Sequence, residues 1–393
     1  MAENLAPEVS ASLSSSQSVP LRELASFFLR LGCTAFGGPA AHIAMMEDEL
    51  VRRRQWLSRQ KFLDLLGASN LIPGPSSSEL AIHIGYLLAG WQGLLVAGAC
   101  FILPAAIMVA ALAWAYVCFG KLPQVSAILY GVKPVVIAVI LQALWGLGRT
   151  ALKTTFLGIV SVLCVFLAFA GLHPLLVLAL AGCAGCLTSL RTTHWSLPAV
   201  PFVTAPAISV AGGTAIFSLG SLFLVFLKIG AVVFGSGYVL LAFLRADLVV
   251  HRGWLTDSQL LDAVAVGQVT PGPVFTTATF VGYLLGGVRG AVVATVGIFL
   301  PAFLLVAASG PLVPRIRKSK LAGAFLDGVN VGSLALMAAV SWQLARASLT
   351  DIVTLVLALA SLLVLLRFRV NSAWLVLFGA ILGILMQIHT MQR

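Results

Sequence analysis

The sequence predicts an all-α polytopic membrane protein made of two homologous repeats, and composition, run length and internal self-similarity carry that prediction. Of the 393 residues, 60% are hydrophobic and 9% charged, with a mean hydropathy of +1.04. A soluble domain carries roughly a quarter charged residues. Apolar runs recur from about residue 21 to the C-terminus, each long enough to cross roughly 30 Å of hydrocarbon as a helix. They do not alternate polar and apolar residues, as the strands of a membrane barrel would.

Self-similarity fixes the organisation. A shift of 198 residues places Phe28-Leu29 on Phe226-Leu227, Gly32 on Gly230, Phe36-Gly37 on Phe234-Gly235 and Trp56-Leu57 on Trp254-Leu255. The same shift places Pro73-Gly74-Pro75 on Pro271-Gly272-Pro273. After the loss of one residue, Gly85-Tyr86-Leu87-Leu88 falls on Gly282-Tyr283-Leu284-Leu285 and Pro104 on Pro301. Residues 1–20 read as a disordered, Ser-rich tail, 21–190 as the first repeat, 191–211 as a linker and 212–393 as the second repeat.

Each repeat opens with an apolar segment that has Phe-Gly in its middle, followed by a charged link ending in Trp-Leu. Next comes a segment interrupted by Pro-Gly-Pro, then four more apolar runs at about 92–118, 124–146, 152–170 and 172–190. Their counterparts lie at about 289–312, 321–345, 352–366 and 372–389. Pro-Gly-Pro splits its segment into pieces too short to span alone. Broken backbone at membrane depth is tolerated only where it faces protein or a watery cavity. Two such elements at matching places in two halves point to a transport site. Counting Lys and Arg in loops does not separate parallel from inverted repeats. The basic link at 47–61 and its weakly charged counterpart at 245–258 favour about ten crossings with antiparallel halves.

The formal charge of +11 fits basic loops of a membrane protein better than a nucleic-acid partner. Cys33, Cys100, Cys118, Cys164, Cys183 and Cys186 lie in apolar stretches, and His42 and His83 lack metal-ligand spacing, so no metal and no cofactor are expected. No GxxxxGK[ST] stretch is present, which excludes transport driven by the chain's own ATP hydrolysis. The scattered His and Cys also supply no convergent cluster for a membrane-embedded enzyme, so the expectation is a transporter without catalytic residues.

Candidate site residues follow from intramembrane charge and from donor chemistry. Arg30 and Lys228 occupy identical positions of the two repeats, and a cation at membrane depth needs compensation. They read as a pair facing a central cavity and binding an anion. Gly37 and Gly38, with Gly235 and Ser236, let the backbone open and turn N–H groups towards it. The turns Pro73-Gly74-Pro75 and Pro271-Gly272-Pro273 lead into Ser76, Ser77 and Thr276, at helix starts whose free amides favour anions. Asn70 and Gln268 add amide donors. Glu79, without an acidic counterpart, is a candidate for proton coupling or for pairing with Arg30 or Lys133. Asp64 and Asp262 read as exposed carboxylates at helix starts, and Lys133 with its counterpart Asn330 could line the same cavity. Many donors and few carboxylates suit a small oxyanion.

These residues also resemble a known family. Phe36-Gly37-Gly38-Pro39, Trp56-Leu57, Ile72-Pro73-Gly74-Pro75 and Gly85-Tyr86 in one half are similar to the paired motifs of the chromate ion transporter family in its long two-domain form. So are Phe234-Gly235-Ser236-Gly237, Trp254-Leu255, Thr270-Pro271-Gly272-Pro273 and Gly282-Tyr283 in the other. The resemblance implies a secondary transporter in the inner (cytoplasmic) membrane. It would export chromate as a resistance mechanism, with sulfate as a competing analogue and halves of opposite orientation. Family members often carry Asn directly after the first Pro-Gly-Pro, where this chain has Ser76. The alternative within the same fold is an importer or exchanger of sulfate or molybdate. The expected surroundings are the lipid bilayer, with apolar outer helices that permit a homodimer and no nucleic-acid partner.

Overall fold

The computed structural model describes residues 19–120, 122–190, 217–234, 237–368 and 370–391. The tail at 1–18, the linker at 191–211, and Gly235 and Ser236 lie outside the described residues. The first repeat comprises α1 (Leu21–Thr34), α2 (Gly38–Glu47), α3 (Arg59–Ser69), α4 (Ser76–Phe119), α5 (Pro123–Ala151), α6 (Thr155–Phe169) and α7 (Pro174–Leu190). The second comprises α8 (Leu219–Val232), α9 (Leu240–Leu244), α10 (Asp257–Val269), α11 (Thr277–Lys318), α12 (Lys320–Ser348), α13 (Ile352–Phe368) and α14 (Ser372–Met391). π-helical stretches, Asp48–Arg53 and Arg245–His251, follow α2 and α9.

Helices α4 and α11 are hairpins. At Ala89-Gly90 the backbone leaves helical geometry, with Gly90 at φ 59°, and Gly286-Gly287 repeats the break. The short arm 76–88 folds back on the long arm 91–119. A Cβ on Gly85 would sit 2.3 Å from the Gly93 carbonyl, and one on Gly93 would sit 2.1 Å from the Gly85 carbonyl. Backbones approach this closely only when both contact residues lack a side chain, the usual device between membrane helices. Gly282 and Gly290 do the same in the second repeat.

The opening segment of each repeat is also broken, where its apolar run reads as one crossing. Gly37 and Gly38 hold φ of 104° and 76°, a region open to glycine. The chain then turns back, so that Phe27 of α1 packs on Trp56 and the Arg54 guanidinium lies over both rings. Among the described residues, α4, α5, α11 and α12 contain the helical stretches long and apolar enough to cross a membrane, with shorter apolar helices α6, α7, α8, α13 and α14. Their outward faces carry large apolar side chains such as Ile107, Phe166 and Leu363, each 67% exposed. On a membrane protein that surface belongs to lipid.

The residues that touch fix the helix directions. Gly131 meets Gly379 and Ala127 meets Gly383, so α5 and α14 are antiparallel. Gly185, Ala181 and Leu178 meet Ala324, Gly328 and Gly332 in turn, so α7 and α12 are antiparallel. Tyr130 bonds Asp351, Gly148 faces Leu334 and Lys153 bonds Asp327, so α5 and α12 are antiparallel as well. Equivalent helices therefore run in opposite directions, and the repeats are inverted.

The repeats also interleave. Helix α5 packs on α13 and α14, α12 packs on α6 and α7, and α4 crosses α11. Neither half closes its own core, which brings the two broken regions to one junction.

Candidate functional site: the paired Pro-Gly-Pro turns

The two turns dock reciprocally. The Gly74 N–H donates to the Val233 carbonyl at 2.7 Å, and the Gly272 N–H donates to the Ala35 carbonyl at 2.9 Å. Ala35 and Val233 are equivalent under the repeat shift, as are Gly74 and Gly272. Each turn thus sits at the broken end of the other repeat's first helix. Gly74 and Gly272 hold φ of 141° and 92°, so a side chain at either position would be strained. Pro73 is partly buried, while Pro75, Pro271 and Pro273 are buried.

The first repeat's turn keeps its donors. Helix α4 begins at Ser76, and its first amides have no partner inside the helix. The amides of Ser78 and Glu79 turn back on the Pro75 carbonyl. The Ser77 hydroxyl lies 3.3 Å from His42 Nδ1, and His42 Nε2 lies 3.1 Å from the Ala35 carbonyl. A carbonyl only accepts, so Nε2 carries the ring proton and Nδ1 accepts from Ser77. His83 joins the repeats, with Nδ1 near the Ser69 hydroxyl and the Glu79 carbonyl, and Nε2 2.9 Å from the Ser309 hydroxyl. The Ser78 hydroxyl and both carboxylate oxygens of Glu79 are buried without a hydrogen-bond partner. Glu79 is fully buried and occupies the space a side chain at Gly74 would need, its Oε1 standing 2.4 Å from that Cβ position.

The second turn is spent on itself. Thr276 donates to the Pro273 carbonyl and Thr277 to the Val274 carbonyl, both at 2.8 Å. Buried Phe275 stands between them. The repeats differ in the preceding amides too, since Asn70 is exposed at the end of α3 and Gln268 is buried on α10.

The two cations stand in different surroundings and not in one shared cavity. Lys228 Nζ donates to Asp247, which Arg252 also approaches at 3.5 Å. Arg30 is exposed and lines a pocket with Phe27, Thr34, Asp48, Glu49 and Arg53. This departs from the expectation that both cations face a central cavity and are neutralised by an anion. The break at Gly37-Gly38 brings Asp48 and Glu49 into the pocket that Arg30 lines, whereas for Lys228 the compensating charge is the chain's own Asp247. The signal was present in the sequence, because Glu49 falls on Asp247 under the shift that superposes Arg30 and Lys228.

Asp262 is likewise corrected. It is 2% exposed, with Lys133 Nζ 3.2 Å from Oδ1 and the Tyr116 hydroxyl donating to Oδ2 at 2.9 Å. Lys133 also donates to Ser258 at 2.7 Å. Asp262 lies in the middle of α10 and not at its start, and α10 lies against α4 and α5 of the other repeat, which buries the carboxylate. Lys133 is therefore committed to Asp262, and among the described residues no cation pairs with Glu79. The repeat counterparts of Tyr116 and Lys133 are Val313 and Asn330, so this cluster exists on one side only.

Comparison with known proteins agrees with this architecture. The family described as Chromate transporter matches residues 22–186 and 220–384, one match to each repeat. The chain belongs to the chromate transporter family. A chromate transport protein of Cupriavidus metallidurans is 34% identical over 375 residues, covering 92% of each chain. One of Pseudomonas aeruginosa is 34% identical over 343 residues, covering 82% of this chain and 81% of the other. An uncharacterised transporter of Methanocaldococcus jannaschii is 28% identical over 376 residues, 91% of this chain and 92% of the other. No solved structure matches. As a member of this family the protein is a polytopic membrane transporter, and its relatives are named as transport proteins, not as enzymes.

Proposed function

We propose that the protein exports chromate across the cytoplasmic membrane, binding the tetrahedral dianion at the junction of the two Pro-Gly-Pro turns and conferring chromate resistance. One observation carries the reading: among the described residues, the start of α4 keeps the buried hydroxyl of Ser78 without a hydrogen-bond partner, at a Pro-Gly-Pro turn both repeats share, where a helix N-terminus offers its first amides. Donors without added charge suit a dianion that must also be released. Arg30, exposed on α1 little more than a turn before the break, attracts the anion towards Gly37 and Gly38. Lys228 is held by Asp247 and does not contact it. Glu79 is the candidate proton carrier. The basic link at 47–61 supports a cytoplasmic location for that face. An inside-negative potential then favours exit of two charges by about 4–5 kcal/mol per 100 mV.

Uptake of labelled chromate into inverted membrane vesicles tests this, under a potential positive inside the vesicle and with or without excess sulfate. Saturable, potential-driven uptake that sulfate inhibits and that Ser78→Ala weakens at least several-fold is the expected result. Uptake unaltered in Ser77→Ala and Ser78→Ala would move the site elsewhere. Absence of chromate uptake, with sulfate or molybdate moving inwards in cells, would replace the substrate and the direction.

A further inference from the structure

Glu79 presents a contradiction that its surroundings resolve. A site rich in neutral donors suits an anion, yet one of its fully buried side chains is a carboxyl. That carboxyl has 0% exposure, no hydrogen bond to either oxygen, and no ion pair among the described residues. An ionised carboxylate so placed would be uncompensated in a medium of low dielectric and would repel a dianion at the adjacent turn. A protonated carboxyl removes both penalties and adds an O–H donor, the chemistry the rest of the turn already offers.

We propose that Glu79 is a proton site loaded together with the anion, so that one proton and one tetrahedral dianion cross the membrane as a pair. This rests on the oxyanion reading of the junction and deepens it. Glu79 takes its proton from the compartment the anion leaves and returns it to the compartment the anion enters, so the carboxyl is regenerated in each cycle. The loaded complex carries one net negative charge fewer than the anion alone. Reciprocity fixes the sign, because whatever factor protonation adds to anion affinity, anion binding adds to proton affinity. A carboxylate beside an anion therefore couples the two ligands in the same direction and not in exchange.

The neighbouring groups support a proton over a metal cation. The ionisable side chains tied to this turn are His42 on α2, through Ser77, and His83 on the same arm, through the Glu79 carbonyl. From α3 the group reaching in is the Ser69 hydroxyl, and from α11 it is the Ser309 hydroxyl. The Pro75 carbonyl is engaged by the amides of Ser78 and Glu79. Among the described residues, the buried side-chain oxygens left without a partner at this point are those of Glu79 and Ser78, three atoms where a hard cation takes six or more.

The test measures charge per anion in proteoliposomes holding the full-length protein. A tenfold potassium gradient with valinomycin sets a potential worth about tenfold per unit charge, with no pH gradient. Labelled sulfate, which stays a dianion throughout the working pH range, serves beside chromate. A bare dianion would reach about a hundredfold gradient, and a dianion moving with one proton about tenfold. The wild type is expected near tenfold, with one proton per anion reported by an entrapped pH dye and with affinity falling as pH rises. Glu79→Gln is expected near a hundredfold and without that pH dependence. A hundredfold gradient in the wild type, or anion movement without proton movement, would overturn the coupling while leaving the transporter reading intact. Dependence on sodium in place of protons would overturn it equally. If no oxyanion moves at all, the oxyanion reading fails. Infrared difference spectra of wild type and Glu79→Gln then still decide whether the carboxyl is neutral at neutral pH, and an ionised Glu79 refutes the proposal.

Discussion

Removing the Asp262 carboxylate strands Lys133 and the Tyr116 hydroxyl together, which makes Asp262→Ala the sharpest probe of how the interleaved repeats hold each other. Taking one partner from a buried ion pair costs about 3–5 kcal/mol, because the remaining charge is left uncompensated. Here the figure belongs at the lower end. The Lys133 side chain is 21% exposed, and its ammonium keeps the Ser258 hydroxyl. The lost Tyr116 bond to a charged acceptor contributes about 1.5–3 kcal/mol of the total, leaving an expectation of about 3 kcal/mol for Asp262→Ala. Asp262→Leu combined with Lys133→Met removes both charges and should be much closer to neutral. Reversible unfolding of the purified protein in mixed micelles, run as a double-mutant cycle, measures both. A loss below about 1 kcal/mol for Asp262→Ala, or a coupling energy below about 0.5 kcal/mol, would refute the argument that this pair is a buried tie between α10 and α5.

Three further outcomes follow from the geometry. Gly74→Ala places a Cβ 2.4 Å from Glu79 Oε1 at φ 141°, so transport should collapse with a stability loss of about 1–3 kcal/mol. Gly253→Ala, strained at φ 61° but with open space around it, should spare transport, and equal loss in both variants would count against a special role for Glu79. Gly131→Leu drives a side chain into the Gly379 carbonyl, 2.0 Å from its Cβ, and should separate α5 from α14, lowering thermal stability by about 1–3 kcal/mol in a detergent melt. Asp351 caps α13 outside the membrane; the Thr354 amide, then the Tyr130 hydroxyl, lowers its pKa below the ordinary carboxylate value. A depressed folded pKa stabilises above the unfolded value and is lost as pH falls through the folded one. The α13 start should therefore loosen only in acid below about pH 3.9, and hydrogen exchange at Thr354 that is unchanged in Asp351→Asn would contradict this.

Much of the architecture was legible in the chain because it rests on periodicity and on identity between the repeats. Run length and composition determine that the helices lie in lipid, since hydrocarbon tolerates no unpaired backbone. The matched Pro-Gly-Pro motifs mark the broken elements because Pro removes donors and Gly opens the backbone. What the sequence could not determine is where each charge finds its partner. Arg30 and Lys228 stand out in one dimension as unpaired cations, but the fold brings Asp48 and Glu49 into the pocket that Arg30 lines and Asp247 onto Lys228. Asp262 reads as exposed because a helix start usually is, and it is buried because the opposite repeat packs over α10. The reciprocal bonds of Gly74 to Val233 and Gly272 to Ala35 join residues more than a hundred positions apart, and no local pattern encodes them. Likewise, matched hydroxyls after the two turns look equivalent in sequence. Only the tertiary structure shows Thr276 and Thr277 bonded back to their own turn while Ser78 and Glu79 are left unspent, because hydrogen-bond satisfaction depends on neighbours that folding alone supplies.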